Sequence, residues 1–138
     1  MTGVQTCALP IYWLEVGAKA QPELLPKIYY VNWFRKGADG SFLWPGFGEN
    51  SRVLKWIVDR LDGAAGGTET AIGVVPTAAD LDLDGLDLDP AEVAELLGVD
   101  TETWRREAAL IPAHFERFGA HLPAQLWAEH RALLARLG

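Results

Sequence analysis

The sequence predicts an α+β fold with few short strands and about four helices. Three observations carry that expectation. Trp104, Ala108, Ile111, Phe115 and Phe118 recur at alternating four- and three-residue steps, which is the stripe of a buried helix. Residues 28–32 and 68–75 are short runs of β-branched and aromatic residues, the composition of strands. Glycine and proline punctuate the chain between these runs, so the elements are short and joined by turns.

In chain order, residues 1–11 (MTGVQTCALPI) lack helical or strand periodicity and share no composition with the rest of the chain. They resemble the conceptual translation of a sequencing-library adapter. We therefore expect a disordered artefact there, with the genuine protein spanning residues 12–138. Residues 12–20 then read as the last turns of a helix. Pro22 and Pro26 bracket a linker, since proline and the residue before it resist helix. Residues 28–32 form the first strand, and Asp39-Gly40 turns a hairpin-like excursion over residues 34–42. Asn50 or Ser51 caps a helix that runs to about Asp62. Its expected buried stripe is Val53, Leu54, Ile57, Val58 and Leu61, with Arg52, Lys55, Asp59 and Arg60 mostly outside.

Residues 68–75 are expected as one strand closed by Pro76. In DLDLDGLDLD, Asp80, Asp82, Asp84 and Gly85 imitate the first half of a calcium-binding loop. The twelfth position, where such a loop needs a bidentate glutamate, is Ala91. A connector whose leucines pack down is the better reading, with Pro90 opening a helix to Leu97. Asp100 or Thr101 begins the striped helix, which Pro112 should kink or split at Ile111. Gly119 ends it, and a last helix carries Leu126, His130, Leu133 and Leu137 on one face.

The formal net charge of −7 argues against non-specific nucleic-acid or anionic-membrane binding. No apolar run approaches bilayer-spanning length, and nothing resembles a secretory leader. A single cysteine, Cys7, leaves no internal disulfide and no thiolate cluster. His114, His121 and His130 lack metal-site spacing and read as structural or surface residues. There is no GxxxxGK[ST] loop and no evident Ser-His-Asp set, so no catalytic machinery is visible.

Residues 27–50, KIYYVNWFRKGADGSFLWPGFGEN, are unlike the rest. They concentrate Tyr29, Tyr30, Trp33, Phe34, Phe42, Trp44 and Phe47 among Gly37, Gly40, Gly46 and Gly48. A loop this aromatic builds either a core corner or a pocket for a flat ligand such as a nucleobase. The stretch VNWFRKGADGSFLWPGFGENSRVLKW resembles the guanine-binding region near the C-terminus of GTP-dependent phosphoenolpyruvate carboxykinase. LPKI, AIGVVP, LDLDGLDL, ELLGVD, the Trp104–Glu107 spacing and FGAHLP extend the resemblance over residues 12–138.

The resemblance implies the C-terminal, guanine-binding portion of a larger nucleotide-binding carboxykinase domain, its strands completing a sheet whose other members lie elsewhere. The family converts oxaloacetate and GTP to phosphoenolpyruvate, CO2 and GDP in gluconeogenesis, with Mn²⁺ and Mg²⁺, as a cytoplasmic monomer. Carried over motif by motif, Phe34, Phe42 and Phe47 would enclose the guanine and Asn50 would hydrogen-bond it, with Gly48 and Glu49 in the same loop. Glu49 and Arg52 would tether that loop, while Trp33 and Trp44 would be wedges behind it. The family's phosphate loop, metal ligands and substrate arginines have no match here, so the chain alone should be inert. The alternative is a standalone, non-enzymatic guanine-nucleotide-binding or interaction module, without nucleic-acid or membrane partners.

Overall fold

Two units divide the chain in the computed structural model, which describes residues 3–138 with side chains from Leu9 onward. One is Lys27–Val99; the other joins Asp100–Gly138 to the chain that ends at Pro26. The α+β class holds, with helices and one two-stranded antiparallel sheet among the described residues.

The Lys27–Val99 unit starts in extended backbone. Tyr29 and Val31 are half-buried while Ile28 and Tyr30 are exposed, which is the period-two alternation of a strand. No neighbouring strand pairs with residues 28–32 among the described residues, so the expected strand is an unpaired extended segment. Alternation was present in the sequence, but a ladder also needs a partner backbone. The hairpin-like excursion is present, closed by an antiparallel bridge between Lys36 and Phe42.

Helix α1 spans Gly3–Lys19 in the other unit, and α2 spans Asn50–Leu61 here, ending within a residue of the expected boundary. The buried face of α2 is a correction. Leu54, Val58 and Leu61 are exposed, Val53 and Ile57 half-buried, and the residue that goes in is Trp56, 5% exposed. Its ring meets Tyr29 edge-to-face at 6.0 Å, and its Nε1 donates to Gly66 O at 3.2 Å. The helix has two apolar arcs, and this unit covers only the one centred on the tryptophan.

The expected strand at 68–75 is two strands, β1 (Thr68–Thr70) and β2 (Gly73–Val75), paired antiparallel in the register Thr68↔Val75, Glu69↔Val74 and Thr70↔Gly73. Thr70 Oγ1 donates to Gly73 O at 2.6 Å and accepts from Ile72 N at 3.3 Å, so a threonine stabilises the turn without an Asn-Gly or Asp-Gly signal. Gly67 precedes β1 because a Cβ there would lie 2.7 Å from Val74 Cγ1.

The acidic connector packs through its leucines: Leu81 is buried, and Leu83, Leu86 and Leu88 are half-buried. Helix α3, Pro90–Leu97, begins in a capping box. Asp89 Oδ1 accepts from Ala91 N and Glu92 N at 2.7 and 2.8 Å, while Glu92 Oε2 accepts from Asp89 N at 2.9 Å. Val93, Leu81, Leu43, Trp44 and Trp56 are the buried apolar side chains of this unit.

In the other unit the striped helix divides as Pro112 requires, into α4 (Thr101–Ala108) and α5 (Ile111–Glu116), and α6 is Ala124–Leu137. Asp100 caps α4 by accepting from Glu102 N and Thr103 Oγ1. Ala108 is buried, 1% exposed, and so are His130 and Leu137 of α6. Ala108 O can only accept, so His130 Nε2, 2.9 Å away, carries the proton between them. Phe115 and Trp127 pack edge-to-face at 5.2 Å beside it.

Residues 1–11 were expected to be disordered, yet α1 is helical from Gly3 through Pro10 to Lys19. Once residues 12–19 are helical, extension toward the N-terminus needs no new nucleus. Met1 and Thr2 lie outside the described residues.

Candidate functional site

The site is built on the turn between Trp33 and Trp44. Asn32 Oδ1 accepts from Phe34 N at 3.0 Å and starts it; Leu43 N to Arg35 O at 2.9 Å and Gly37 N to Ser41 O at 3.0 Å close it. Asp39 fastens the tip by accepting from Ser41 Oγ and Ser41 N at 2.7 and 2.9 Å. The Ser41 hydroxyl, aided by the Ser41 amide, holds the Asp39 carboxyl below its ordinary value.

The Lys36↔Phe42 register then sorts the side chains. Phe34, Lys36 and Phe42 fall on one face because side chains alternate along a strand. Phe34 and Phe42 meet edge-to-face at 6.0 Å with an interplanar angle of 65°, and Lys36 Nζ lies 5.2 Å from the Phe42 centroid. Both phenyl rings are largely exposed. On the opposite face, Arg35 Nη1 donates to Leu96 O and Gly98 O, each at 3.0 Å. That guanidinium satisfies carbonyls at the end of α3, which a helix leaves without internal partners.

Beyond Trp44 the backbone takes two unusual steps. Gly46 has φ 80° and ψ −170°, a region essentially restricted to glycine. Phe47 follows with φ 44°, in the left-handed region that costs a side chain roughly 1–2 kcal/mol. A short 3-10 turn, Phe47–Glu49, leads into α2. The Phe47 ring is 97% exposed, and no ring contact joins it to Phe34 or Phe42 among the described residues. The backbone strain therefore holds out a ring that packs on nothing.

The rest of the turn is braced. Ser51 Oγ donates to Gly48 O at 2.7 Å. Glu49 pairs with Arg52, whose Nη1 also donates to Asp82 O at 2.9 Å and Asp82 Oδ1 at 3.2 Å. Glu49, with Asp82 and Asp84, holds the Arg52 guanidinium more firmly charged than usual. An open cleft of about 420 Å³ beside this network is lined by Glu49, Ser51, Arg52, Lys55, Asp82 and Asp84.

Asn50 is the first residue of α2 and not its side-chain cap. Its Oδ1 accepts from Trp44 Nε1 at 2.9 Å. Trp44 is 4% exposed, and sequence reasoning gave it only a wedge role. The available signal was that a buried indole N–H needs an acceptor, and Asn50 lies six residues away.

Of the expected site residues, Phe34 and Phe42 are in contact, and Phe47, Gly48, Glu49 and Asn50 form one braced turn. Among the described residues, no three His, Cys, Asp or Glu side chains converge so as to hold a metal ion. No helix among the described residues is long and apolar enough to cross a membrane.

The family model described as the phosphoenolpyruvate carboxykinase C-terminal P-loop domain covers residues 2–136. Proteins named phosphoenolpyruvate carboxykinase (GTP) are 53% identical over 127 residues in Paenarthrobacter aurescens (strain TC1), 51% over 126 in Arthrobacter sp. (strain FB24) and 49% over 127 in Treponema pallidum (strain Nichols). These alignments take in 91–92% of this chain and 21% of each relative, so the chain spans about a fifth of the length of the curated relatives it matches. The chain belongs to the GTP-dependent phosphoenolpyruvate carboxykinase family.

Proposed function

We propose that this chain supplies the guanine pocket of a GTP-dependent phosphoenolpyruvate carboxykinase, the enzyme that forms phosphoenolpyruvate, CO2 and GDP from oxaloacetate and GTP. The observation that carries the reading is the exposed aromatic set, Phe34 with Phe42 and the strained, outward Phe47, beside the amide of Asn50. In this reading the Phe34–Phe42 pair is one wall for the purine and Phe47 the other. Stacking holds any base, and Asn50 with the Gly48–Glu49 backbone supplies the polar match that selects guanine.

Phosphate and metal contacts come from the remainder of the longer enzyme, including the groups that hold Mn²⁺ and Mg²⁺. Without them the isolated chain binds nucleotide weakly and transfers no phosphoryl group. Exposed Ile28, Tyr30, Leu54, Val58 and Leu61 support a chain completed by more protein, and weigh against a standalone binding module. We assign the enzyme to gluconeogenesis in the cytoplasm, as a monomer.

Residues 1–11 are, in the same proposal, adapter sequence. The 127 residues aligned with the Paenarthrobacter protein equal the length left when they are set aside, although the family model is matched from residue 2.

The test joins residues 12–138 to the upstream portion of the Paenarthrobacter aurescens relative. The expected result is GTP-dependent decarboxylation of oxaloacetate with formation of phosphoenolpyruvate. A folded chimera that uses only ATP, or neither nucleotide, overturns the proposal.

A further inference from the structure

We propose that Trp44 is a positioning residue for base selection, orienting the Asn50 amide so that its NH2 end faces the base. This rests on the guanine-pocket reading above and adds to it a device for telling a 6-oxo purine from a 6-amino purine.

Hydrogen-bond roles set the orientation. An indole Nε1–H is a donor only, whereas an asparagine amide has an acceptor end and a donor end. At 2.9 Å from Trp44 Nε1 the Asn50 atom must be Oδ1, and Nδ2 takes the other position. Flipping the amide would set two donors against each other and leave the N–H of an indole that is 4% exposed without its acceptor. The orientation is therefore set by chemistry, and Trp44 is held in turn by its burial. Asn50 sits at the start of α2, directly after the Phe47–Glu49 turn, so its amide lies in the loop that carries the outermost ring.

An NH2 group presented to the purine edge donates to O6 of guanine or hypoxanthine. Against adenine it meets the 6-amino group, donor to donor, and neither is satisfied. A free Asn50 amide would rotate and accept from that amino group instead. Trp44 thus excludes the adenine-compatible orientation without touching the base, a repulsive element of the kind specificity requires.

The test is equilibrium competition on the chimera described above, in which residues 12–138 are joined to the portion that supplies the phosphate contacts. A fluorescent GDP analogue is displaced by GTP, ITP or ATP at concentrations up to millimolar. Trp44→Phe keeps an aromatic six-membered ring and removes the N–H with the pyrrole portion of the indole. Its expected effect is about a tenfold fall in GTP-over-ATP preference, the size of one oriented hydrogen bond. The GTP-over-ITP ratio should not move, because both bases carry O6. A purely structural role would weaken all three nucleotides together and leave the ratios unchanged, which overturns the inference.

Asn50→Asp gives an independent reading should Trp44→Phe fail to fold. It retains the acceptor for Trp44 and removes the donor, so preference should swing toward ATP; unchanged preference overturns the inference. Phe47→Ala separates the pocket reading from the role of Trp44. If it does not weaken displacement, or the unaltered chimera shows no binding, the pocket reading fails and this inference with it. If Phe47→Ala weakens binding while both Trp44→Phe and Asn50→Asp leave selectivity intact, the pocket stands and the role of Trp44 is refuted.

Discussion

Replacing Phe47 by alanine separates binding from folding at one position. The ring is 97% exposed, so its removal surrenders almost no buried area, and the change belongs with surface substitutions worth about 0.5 kcal/mol or less. The backbone at φ 44° is equally strained with alanine, so that cost cancels. The melting temperature should stay within about 2 °C of the parent chain. Affinity should respond very differently, since stacking of a base on an aromatic side chain is worth about 1–3 kcal/mol. That range corresponds to roughly 5- to 150-fold weaker GDP binding. Calorimetric titration paired with a thermal melt reads both quantities on one sample. A melt lowered by many degrees would mean the ring is part of the core, and unchanged GDP affinity would mean it is no part of a base pocket. Either outcome refutes the reasoning.

Three further perturbations test the framework around that ring. Trp56→Ala removes the buried face of α2, its edge contact with Tyr29 and its bond to Gly66 O; it should cost about 3–5 kcal/mol in urea denaturation. Gly46→Ala meets no atom within 4 Å, so its penalty is backbone conformation alone, about 1–3 kcal/mol, and weaker nucleotide binding should accompany it. Acid titration followed by circular dichroism should show stability lost on the acid side. Hydrogen bonds from Thr77 and Thr103 hold the Asp80 and Asp100 carboxyls below their ordinary value in the folded state. Their contribution is therefore fully present above the unfolded value and disappears as pH falls through the lowered folded one. Thr103→Val should bring that loss to higher pH, and an unmoved acid limb would count against the cap.

The parts legible in the sequence were those whose signal and partner lie in the same stretch. The face of α6 carrying Leu126, His130, Leu133 and Leu137 was readable from spacing, and so was the break at Pro112. Pro90 announces the start of α3. Reading failed where the outcome depended on a distant neighbour. Periodicity showed α2 to be amphipathic, but choosing between its arcs required Tyr29 and Gly66. Alternation at 28–32 was real, yet no ladder partner pairs with it among the described residues. The Thr70–Gly73 turn escaped because a threonine hydroxyl replaced the usual Asn-Gly or Asp-Gly pair. The six aromatic and loop residues of the candidate site came from the resemblance. Trp44 was read as a wedge, which its burial fits, while its indole bond to Asn50 was not foreseen.

The bond from Arg35 to the end of α3 has a consequence for the order of assembly. Its partners, Leu96 O and Gly98 O, lie 61 and 63 residues further along the chain. A turn as local as the Lys36–Phe42 excursion closes on the microsecond scale, about 1–10 μs. Its guanidinium anchor must wait for a loop of more than sixty residues to close and for α3 to exist. The aromatic wall is thus shaped early and fixed in place late. During synthesis, a chain released before Leu96 would carry every ring of the candidate site and neither carbonyl of the clamp that aims them.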